Sequence, residues 1–356
     1  MADVRAVMLG CGVAVPPNEI DNDRLARCLD TNDQWIRERS GIRTRYFVDP
    51  GVSSADLGAD AARHALDDAG VAAEEVDYVV VATMTPDHYF PGAATLIQQR
   101  LGMKPTPTLD LRQQCAGYAY GLQVVDALIR SGTARTVLLV GTDVHSSLFP
   151  WSDDSWDYLY ERRETRNDEE YQWSSKFRHL LVLFGDAAGA MVFRAHDADD
   201  GRGILTHRLY GDGDNKEILY VPGIGSAYRP FVDAEMIARG DSVPHMEGRA
   251  VFKLAVTRMP KVTLEVLEAE GYSLDDLDLL VMHQANLRIN EAAQKALRLS
   301  NDKVHNNIQT YGNTTSATLP LCFHEARLAG KAPEGALVAF TALGAGLHWG
   351  SVLMRV

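Results

Sequence analysis

The sequence predicts an α/β protein built from two similar halves, and two observations support this prediction. Continuous apolar stretches of strand length alternate with amphipathic stretches of helix length, a pattern typical of largely parallel sheets that helices cover on both faces. Matching features also recur at one offset: Gly70 and Gly271 (271 − 70 = 201) are as far apart as Asp77 and Asp278. A repeat in register indicates an internal duplication.

The first half supplies its elements in order. Residues 1–10 are expected to form a first strand and not a signal peptide, because they contain charged residues and lack a long apolar core. A helix from about residue 59 ends near Gly70, and the apolar strand 76–81 follows. A further extended stretch begins near Leu109 and stops at Cys115, where a helix begins and continues to about Ser131. Residues 137–141 form the next strand.

The second half repeats this order. A helix from about residue 261 ends near Gly271, and strand 279–282 runs directly into His283. An apolar helix covers residues 317–327, and strand 338–342 is the earlier strand 137–141 shifted by the same offset. We therefore predict an N-terminal half over residues 1–195 and a C-terminal half over residues 196–356.

Composition excludes several classes of function. No run of about 18 apolar residues is present, so no membrane span is expected. The net charge of −13 opposes general nucleic-acid binding, which needs a positive surface. The cysteines show neither paired metal-type spacing nor a disulfide-rich pattern, which predicts a cytoplasmic protein without a metal site. They are Cys11, Cys28, Cys115 and Cys322.

Cys115 is the first candidate for chemistry. It stands where a strand ends and a helix begins, and the positive end of the helix macrodipole favours the nucleophilic thiolate. A single cysteine is more often a small buried hydrophobic residue, so the assignment depends on other residues.

Two further candidates stand at matching junctions in the second half: His283 follows a strand, and Asn313 precedes a helix. Alone, each is more often structural, as a hydrogen-bonded histidine or as part of a turn with a helix N-cap. With Cys115 they give the order Cys, His, Asn, which occurs in papain-like proteases and in decarboxylating condensing enzymes of the thiolase superfamily. The duplicated α/β pattern and the sequence around Cys115 disfavour the protease.

The whole chain resembles the β-ketoacyl-[acyl-carrier-protein] synthase III family. Six motifs carry the resemblance, each weak alone but all in order and suitably spaced. They comprise residues 31–36 with 40–43, 115–118, 184–190, 283–286, 312–314 and 344–350. The resemblance implies the thiolase fold, in which two pseudo-symmetric halves form a layered αβαβα core.

The same resemblance implies a two-step Claisen condensation. An acyl-coenzyme A (acyl-CoA) thioester would acylate Cys115, while the backbone N–H groups of Cys115 and Ala345 hold the oxyanion. A malonyl thioester would then lose carbon dioxide, and His283 and Asn313 would donate hydrogen bonds to the enolate without a permanent charge. No cofactor is implied beyond the coenzyme A thioester and the phosphopantetheine of a carrier protein. Thiolases instead use a second cysteine in the C-terminal glycine loop, and residues 344–350 contain none.

The resemblance also names binding residues. Trp35 would stack on adenine with Arg178 on the other side, and Phe90 would reach across a homodimer to close the acyl pocket. An acidic acyl carrier protein would dock on Arg249 and Lys253, which lie four apart on a helix that Pro260 should kink or interrupt. The full set expected to bind coenzyme A is Thr31, Trp35, Arg39, Arg178 and Asn286.

The chain departs from the family at a long insertion and beside the nucleophile. In residues 149–177, tryptophans and tyrosines alternate with acidic residues, which favours an ordered lid or partner surface over a disordered acidic loop. Gln113 and Gln114 stand where the commonest members carry small residues, and residues 314–316 differ mildly. We therefore expect a starter other than acetyl, such as a medium-chain acyl group.

Three functions remain open from the sequence. The leading one is decarboxylative condensation of an acyl-CoA with malonyl-carrier protein or malonyl-CoA in fatty-acid or polyketide initiation. The alternative is an acyltransferase of the same fold that moves an acyl group to an alcohol, amine or thioester without decarboxylation. A non-catalytic subunit that binds carrier protein is disfavoured by the presence of Cys115, His283 and Asn313 together.

Overall fold

The computed structural model describes residues 4–197 and 200–356, so residues 1–3 of the predicted first strand lie outside the described residues. The α/β fold class is confirmed. The strands are β1 (Val4–Ala14), β2 (Asn18–Asp21), β3 (Thr44–Phe47), β4 (Tyr78–Ala82), β5 (Thr108–Leu111), β6 (Thr136–Asp143), β7 (Ala187–Asp197), β8 (Gly203–Gly211), β9 (Leu219–Tyr220), β10 (His245–Met246), β11 (Leu279–Met282), β12 (Val304–His305), β13 (Leu337–Gly344) and β14 (His348–Arg355).

The α-helices fall between these strands, and short 3-10 turns precede several of them. They are α1 (Asn22–Ala26), α2 (Asp33–Ser40), α3 (Ser54–Ala69), α4 (Ala93–Arg100), α5 (Gly117–Arg130), α6 (Asp153–Leu159), α7 (Asp168–Ser175), α8 (Arg178–Leu181), α9 (Ala234–Arg239), α10 (Gly248–Ala269), α11 (Leu287–Leu297), α12 (Ile308–Tyr311) and α13 (Thr318–Leu328). None of the helices in the described ranges is long and apolar enough to cross a bilayer.

Two five-stranded sheets have the same internal order. The first runs β1-β7-β6-β4-β5, and the second, read from its other edge, runs β8-β14-β13-β11-β12. In each sheet the last three strands are parallel, whereas the first three pair in antiparallel fashion. The prediction of largely parallel sheets therefore holds only for half of the pairings within these two sheets.

The offset in the sequence reappears between structural elements. Both bounds of β13 lie 201 residues after those of β6 (337 − 136 and 344 − 143), and α13 begins the same distance after α5 (318 − 117). The 3-10 turns Gln114–Ala116 and Thr315–Ala317 obey the same relation. The division at residues 195 and 196 stays a prediction.

The helices form layers around the two sheets. Helices α5 and α13 lie between the sheets, where Leu122 and Phe323 pack with strand residues such as Val80 and Phe340 in one buried cluster. Helix α3 covers the outer face of the first sheet, and α10 and α11 cover that of the second. Since strands β6 and β13 are covered on both faces, every residue in them is buried, which explains the apolar runs 137–140 and 337–340.

Two local expectations from the sequence have clear outcomes. Helix α10 continues through Pro260 from Gly248 to Ala269, so the expected interruption is wrong. The insertion is ordered: helices α6 and α7 lie within it, and its aromatic rings pack against the body beside Phe47. The alternative of a disordered acidic loop is thereby excluded.

Candidate active site

A cavity of about 440 Å³ brings the three catalytic candidates together. Cys115, His283 and Asn313 all line it, although they come from the 3-10 turn before α5, the residue after β11 and the turn before α13. Ala345 and Asn286 line the same cavity. The layered fold therefore converges these side chains where strands end and helices begin.

The backbone around Cys115 is built for close approach. Strand β5 ends at Leu111, and a 3-10 turn then carries the thiol into α5, with Gln114 in the left-handed region at φ 52°. A Cβ on Gly344 would lie 2.9 Å from the Cys115 nitrogen, so only glycine lets loop 344–346 lie against that N–H group. Ala345, the predicted second oxyanion donor, follows directly.

The resting state of the thiol differs from the expectation. Burial raises the pKa of Cys115 to about 12, the charge of Asp143 acts in the same direction, and a backbone hydrogen bond opposes them. Burial therefore outweighs the favourable effect expected from the helix N-terminus, and the protonated thiol is the resting form. Cys115 has to lose a proton as it reacts.

His283 is neutral, and only one of its two ring nitrogens has a hydrogen-bond partner among the described residues. Its Nδ1 lies 2.7 Å from the Thr318 hydroxyl oxygen, while its Nε2 is buried without a hydrogen-bond partner among the described residues. Burial lowers the pKa of His283 to about 3, so the ring is uncharged at neutral pH. An uncharged ring can accept or donate a proton at Nε2, depending on its tautomer.

Asn313 is oriented by its own turn. Its side-chain oxygen accepts the Thr315 N–H at 2.9 Å, and its backbone N–H donates to Leu183 O at 2.8 Å. Its Nδ2 makes no hydrogen bond within the described ranges. The amide group is therefore held at one end and free to donate to a ligand at the other.

Three of the residues expected to bind coenzyme A, Trp35, Arg39 and Arg178, form a cluster of side chains. The guanidinium carbons of Arg39 and Arg178 lie 4.4 and 5.1 Å from the centre of the Trp35 ring, and Arg178 also pairs with Asp30. The Thr31 hydroxyl is buried and unpaired in the described part of the chain. These four residues do not line the 440 Å³ cavity.

Asn286 connects this cluster to the cavity. Its Nδ2 donates to Arg39 O at 2.8 Å, and its Oδ1 accepts the Arg288 N–H at 3.0 Å as the N-cap of α11. Both ends of its amide are thus engaged. A hydrogen bond to a pantetheine arm would have to share or replace one of these contacts.

The remaining predicted residues lie on the surface. Phe90 is 81% exposed and does not line the cavity of its own chain. Arg249 and Lys253 are exposed on α10, and the same helix presents Val251 and Phe252 to the cavity. A partner bound at Arg249 and Lys253 would therefore lie next to the cavity wall.

Sequence reasoning missed two residues near the nucleophile. His348 lines the cavity and approaches the Tyr120 hydroxyl at 3.5 Å; it lies inside motif 344–350, so inspection of that motif offered a signal. Asp143 ends β6 and bonds to the turn after Asn313. No sequence signal marks Asp143, because its partners are distant along the chain.

Comparisons with known proteins agree with this geometry. Residues 267–356 match the family model for the C-terminal part of 3-oxoacyl-[acyl-carrier-protein] synthase III, and residues 109–161 match the model for 3-oxoacyl-[acyl-carrier-protein] synthase III. The β-ketoacyl-[acyl-carrier-protein] synthase III of Rhodospirillum rubrum is 40% identical, with 99% of each chain covered.

Solved structures match over the full length as well. The 3-oxoacyl-[acyl-carrier-protein] synthase III of Aquifex aeolicus has a TM-score of 0.83 and 34% identity, covering 99% of this chain and 100% of that one. The priming β-ketosynthase of the R1128 polyketide pathway has a TM-score of 0.83 and 29% identity, and the match covers 100% of this chain and 98% of that one. The chain therefore belongs to the β-ketoacyl-[acyl-carrier-protein] synthase III family of condensing enzymes.

Proposed function

We propose that this protein is a decarboxylating acyltransferase that joins an acyl group from coenzyme A to a malonyl thioester. The observation that carries the proposal is the meeting of Cys115, neutral His283 and Asn313 in one apolar-walled cavity. A nucleophile and two uncharged hydrogen-bond donors are what acyl transfer followed by enolate formation requires.

In the first step, the Cys115 sulfur attacks the thioester carbonyl. The buried thiol gives its proton to a base, and we assign this role to the unpaired Nε2 of His283, which lines the same cavity. The carbonyl oxygen becomes an oxyanion at the N–H groups of Cys115 and Ala345. The bond to coenzyme A breaks, its sulfur takes up the proton, and acyl-Cys115 remains.

In the second step, a malonyl thioester loses carbon dioxide and leaves an enolate. Its oxygen accepts hydrogen bonds from Asn313 Nδ2 and from His283 Nε2, now in the tautomer that carries hydrogen there. The Thr318 hydroxyl donates to Thr315 O at 2.9 Å and so accepts from Nδ1–H; to support the Nε2–H tautomer it would have to turn its proton towards Nδ1. The enolate carbon attacks the acyl carbon, the bond to sulfur breaks, and the Cys115 thiolate takes up a proton from water.

The proposed substrates are inferred from the residues that line the cavity and from the names of the related proteins. Met84, Leu148, Leu183 and Phe184 supply apolar cavity wall, which supports a medium-chain starter over acetyl. The names of the relatives support an acyl-carrier-protein thioester as extender, with exposed Arg249 and Lys253 as its docking face. Homodimerisation, with Phe90 closing the partner's acyl pocket, is part of the same proposal.

The proposal is tested by intact-protein mass after incubation with acyl-CoA thioesters from acetyl to dodecanoyl. We expect one acyl adduct, largest for medium chains and absent in Cys115→Ala. Preference for acetyl would contradict the medium-chain starter. Adding malonyl-CoA or malonyl-carrier protein should then release carbon dioxide and the β-ketoacyl product. Transfer to another acceptor without carbon dioxide would identify a simple acyltransferase instead.

A further inference from the structure

Asp143 is a buried carboxylate that the proposed chemistry does not use. It is fully buried, and no salt bridge to it occurs within residues 4–197 and 200–356. Burial of a charge is costly unless hydrogen bonds replace its water, and six donors do so. Oδ1 accepts the hydroxyl of Thr83 and the N–H groups of Met84 and Thr85 at 2.8–3.1 Å, and the Thr85 hydroxyl at 3.0 Å.

The other oxygen faces the second half of the molecule. Asp143 Oδ2 accepts the hydroxyl of Thr315, and the N–H of Ser316 at 2.9 Å. Thr315 has φ 49°, which is strained for a β-branched residue, and its N–H fixes the Asn313 side chain. The carboxylate thus holds a strained turn whose geometry orients Asn313.

The two sides of this contact both belong to the cavity. Met84 and Asn313 line it, and the Ser316 hydroxyl donates to Gln114 O, next to Cys115, at 3.2 Å. The charge of Asp143 also helps to raise the pKa of Cys115. The other titratable or charged groups that line the cavity are Arg112, Lys216, Tyr220, His283 and His348, and His145 interacts with Asp143 itself.

We propose that Asp143 is a positioning residue whose carboxylate fastens the Asn313 turn to the Met84 wall and keeps it in register with Cys115. The inference rests on the proposed function, because it assigns Asn313 to the second step. Without the carboxylate, acylation of Cys115 proceeds while condensation fails.

Three variants separate this role from simple destabilisation. Asp143→Asn keeps the shape of the side chain but removes its charge. It also replaces one carboxylate oxygen by an NH₂ group, which would point its hydrogens at the N–H and O–H groups that now donate to Asp143. Thr315→Val removes only one of the six donors. Asp186→Asn is the matched control, since Asp186 is an equally buried carboxylate that bonds to Ser146 and Val48 instead.

Each variant is measured in three ways: octanoyl loading by intact mass, single-turnover condensation of the acyl-enzyme, and alkylation of Cys115 by iodoacetamide from pH 7 to 9.5. We expect Asp143→Asn to lower condensation by about 100-fold relative to loading, as for a small misplacement of a reacting group. Its alkylation should be up to about tenfold faster at each pH, corresponding to one pKa unit. Thr315→Val should lower condensation without faster alkylation, and Asp186→Asn should keep the wild-type ratio of the two steps.

The outcomes are decisive in both directions. If Asp143→Asn keeps the wild-type ratio of condensation rate to loading rate, including the case in which both rates fall equally, the inference is overturned. If Asp143→Asn does not fold, the condensation-to-loading ratio of Thr315→Val decides by the same criterion. Failure of the wild-type protein to release carbon dioxide from a malonyl thioester would instead contradict the proposed function.

Discussion

Acidification should destabilise the protein through His283, by an amount that the structure allows us to work out. The folded-state pKa of His283 is lowered from 6.5 to about 3 by burial, so the unfolded chain binds more protons between these values. Stability from this group is therefore present above pH 6.5 and is lost as the pH falls towards 3. At pH 5 the 1.5-unit distance from 6.5 corresponds to about 2 kcal/mol.

The assay is urea unfolding of the wild type and of His283→Gln at pH 7.5 and pH 5.0. His145 is also buried with a pKa lowered to about 4, but both proteins contain it, so it cancels in the comparison. We expect the wild type to lose about 2 kcal/mol more than the variant on acidification. Equal losses would refute the conclusion that His283 is held neutral by burial.

Three further predictions test other parts of the site. Asn313→Asp keeps the side-chain oxygen that accepts the Thr315 N–H but replaces the free donor by an acceptor. The rate of single-turnover condensation should fall by about 10²–10³ while octanoyl loading persists. A wild-type rate of condensation would contradict the role of Asn313 at the enolate. Trp35→Ala should raise the KM for octanoyl-CoA about fivefold, which corresponds to the loss of about 1 kcal/mol of binding free energy. The KM for octanoyl-pantetheine, which lacks adenine, should not change. An equal rise in both KM values would contradict the stacking of adenine on Trp35. Trp151→Ala removes a buried ring whose Nε1 donates to Ser174 Oγ at 2.6 Å. The free energy of unfolding in urea should fall by about 3–5 kcal/mol. A fall below about 1 kcal/mol would show that the insertion is not part of the folded body.

The fold was predictable because its two strongest signals are local or periodic. Strands β6 and β13 contain the apolar runs 137–140 and 337–340, and the offset between them is visible without any structure. Strand direction was harder to predict, because the antiparallel pairs join β7 and β14 to partners whose order depends on contacts distant in sequence. The course of α10 through Pro260 was missed, since packing against α11 and β14 can outweigh a local helix-breaking preference.

The site was predictable in its members but not in its electrostatics. Motifs pointed to Cys115, His283 and Asn313, and all three line one cavity. The protonation of Cys115 was not predictable, because burial depends on the whole fold and here outweighs the helix N-terminus. Asp143 was invisible for a similar reason: its partners lie 58–60 and 172–173 residues away.

The most direct test is a single turnover of octanoyl-Cys115 enzyme with malonyl thioester labelled at its free carboxyl carbon. We predict labelled carbon dioxide and a β-keto product two carbons longer than the starter, formed in equal amounts and absent with Cys115→Ala. Loss of the octanoyl group without labelled carbon dioxide would contradict the decarboxylative condensation.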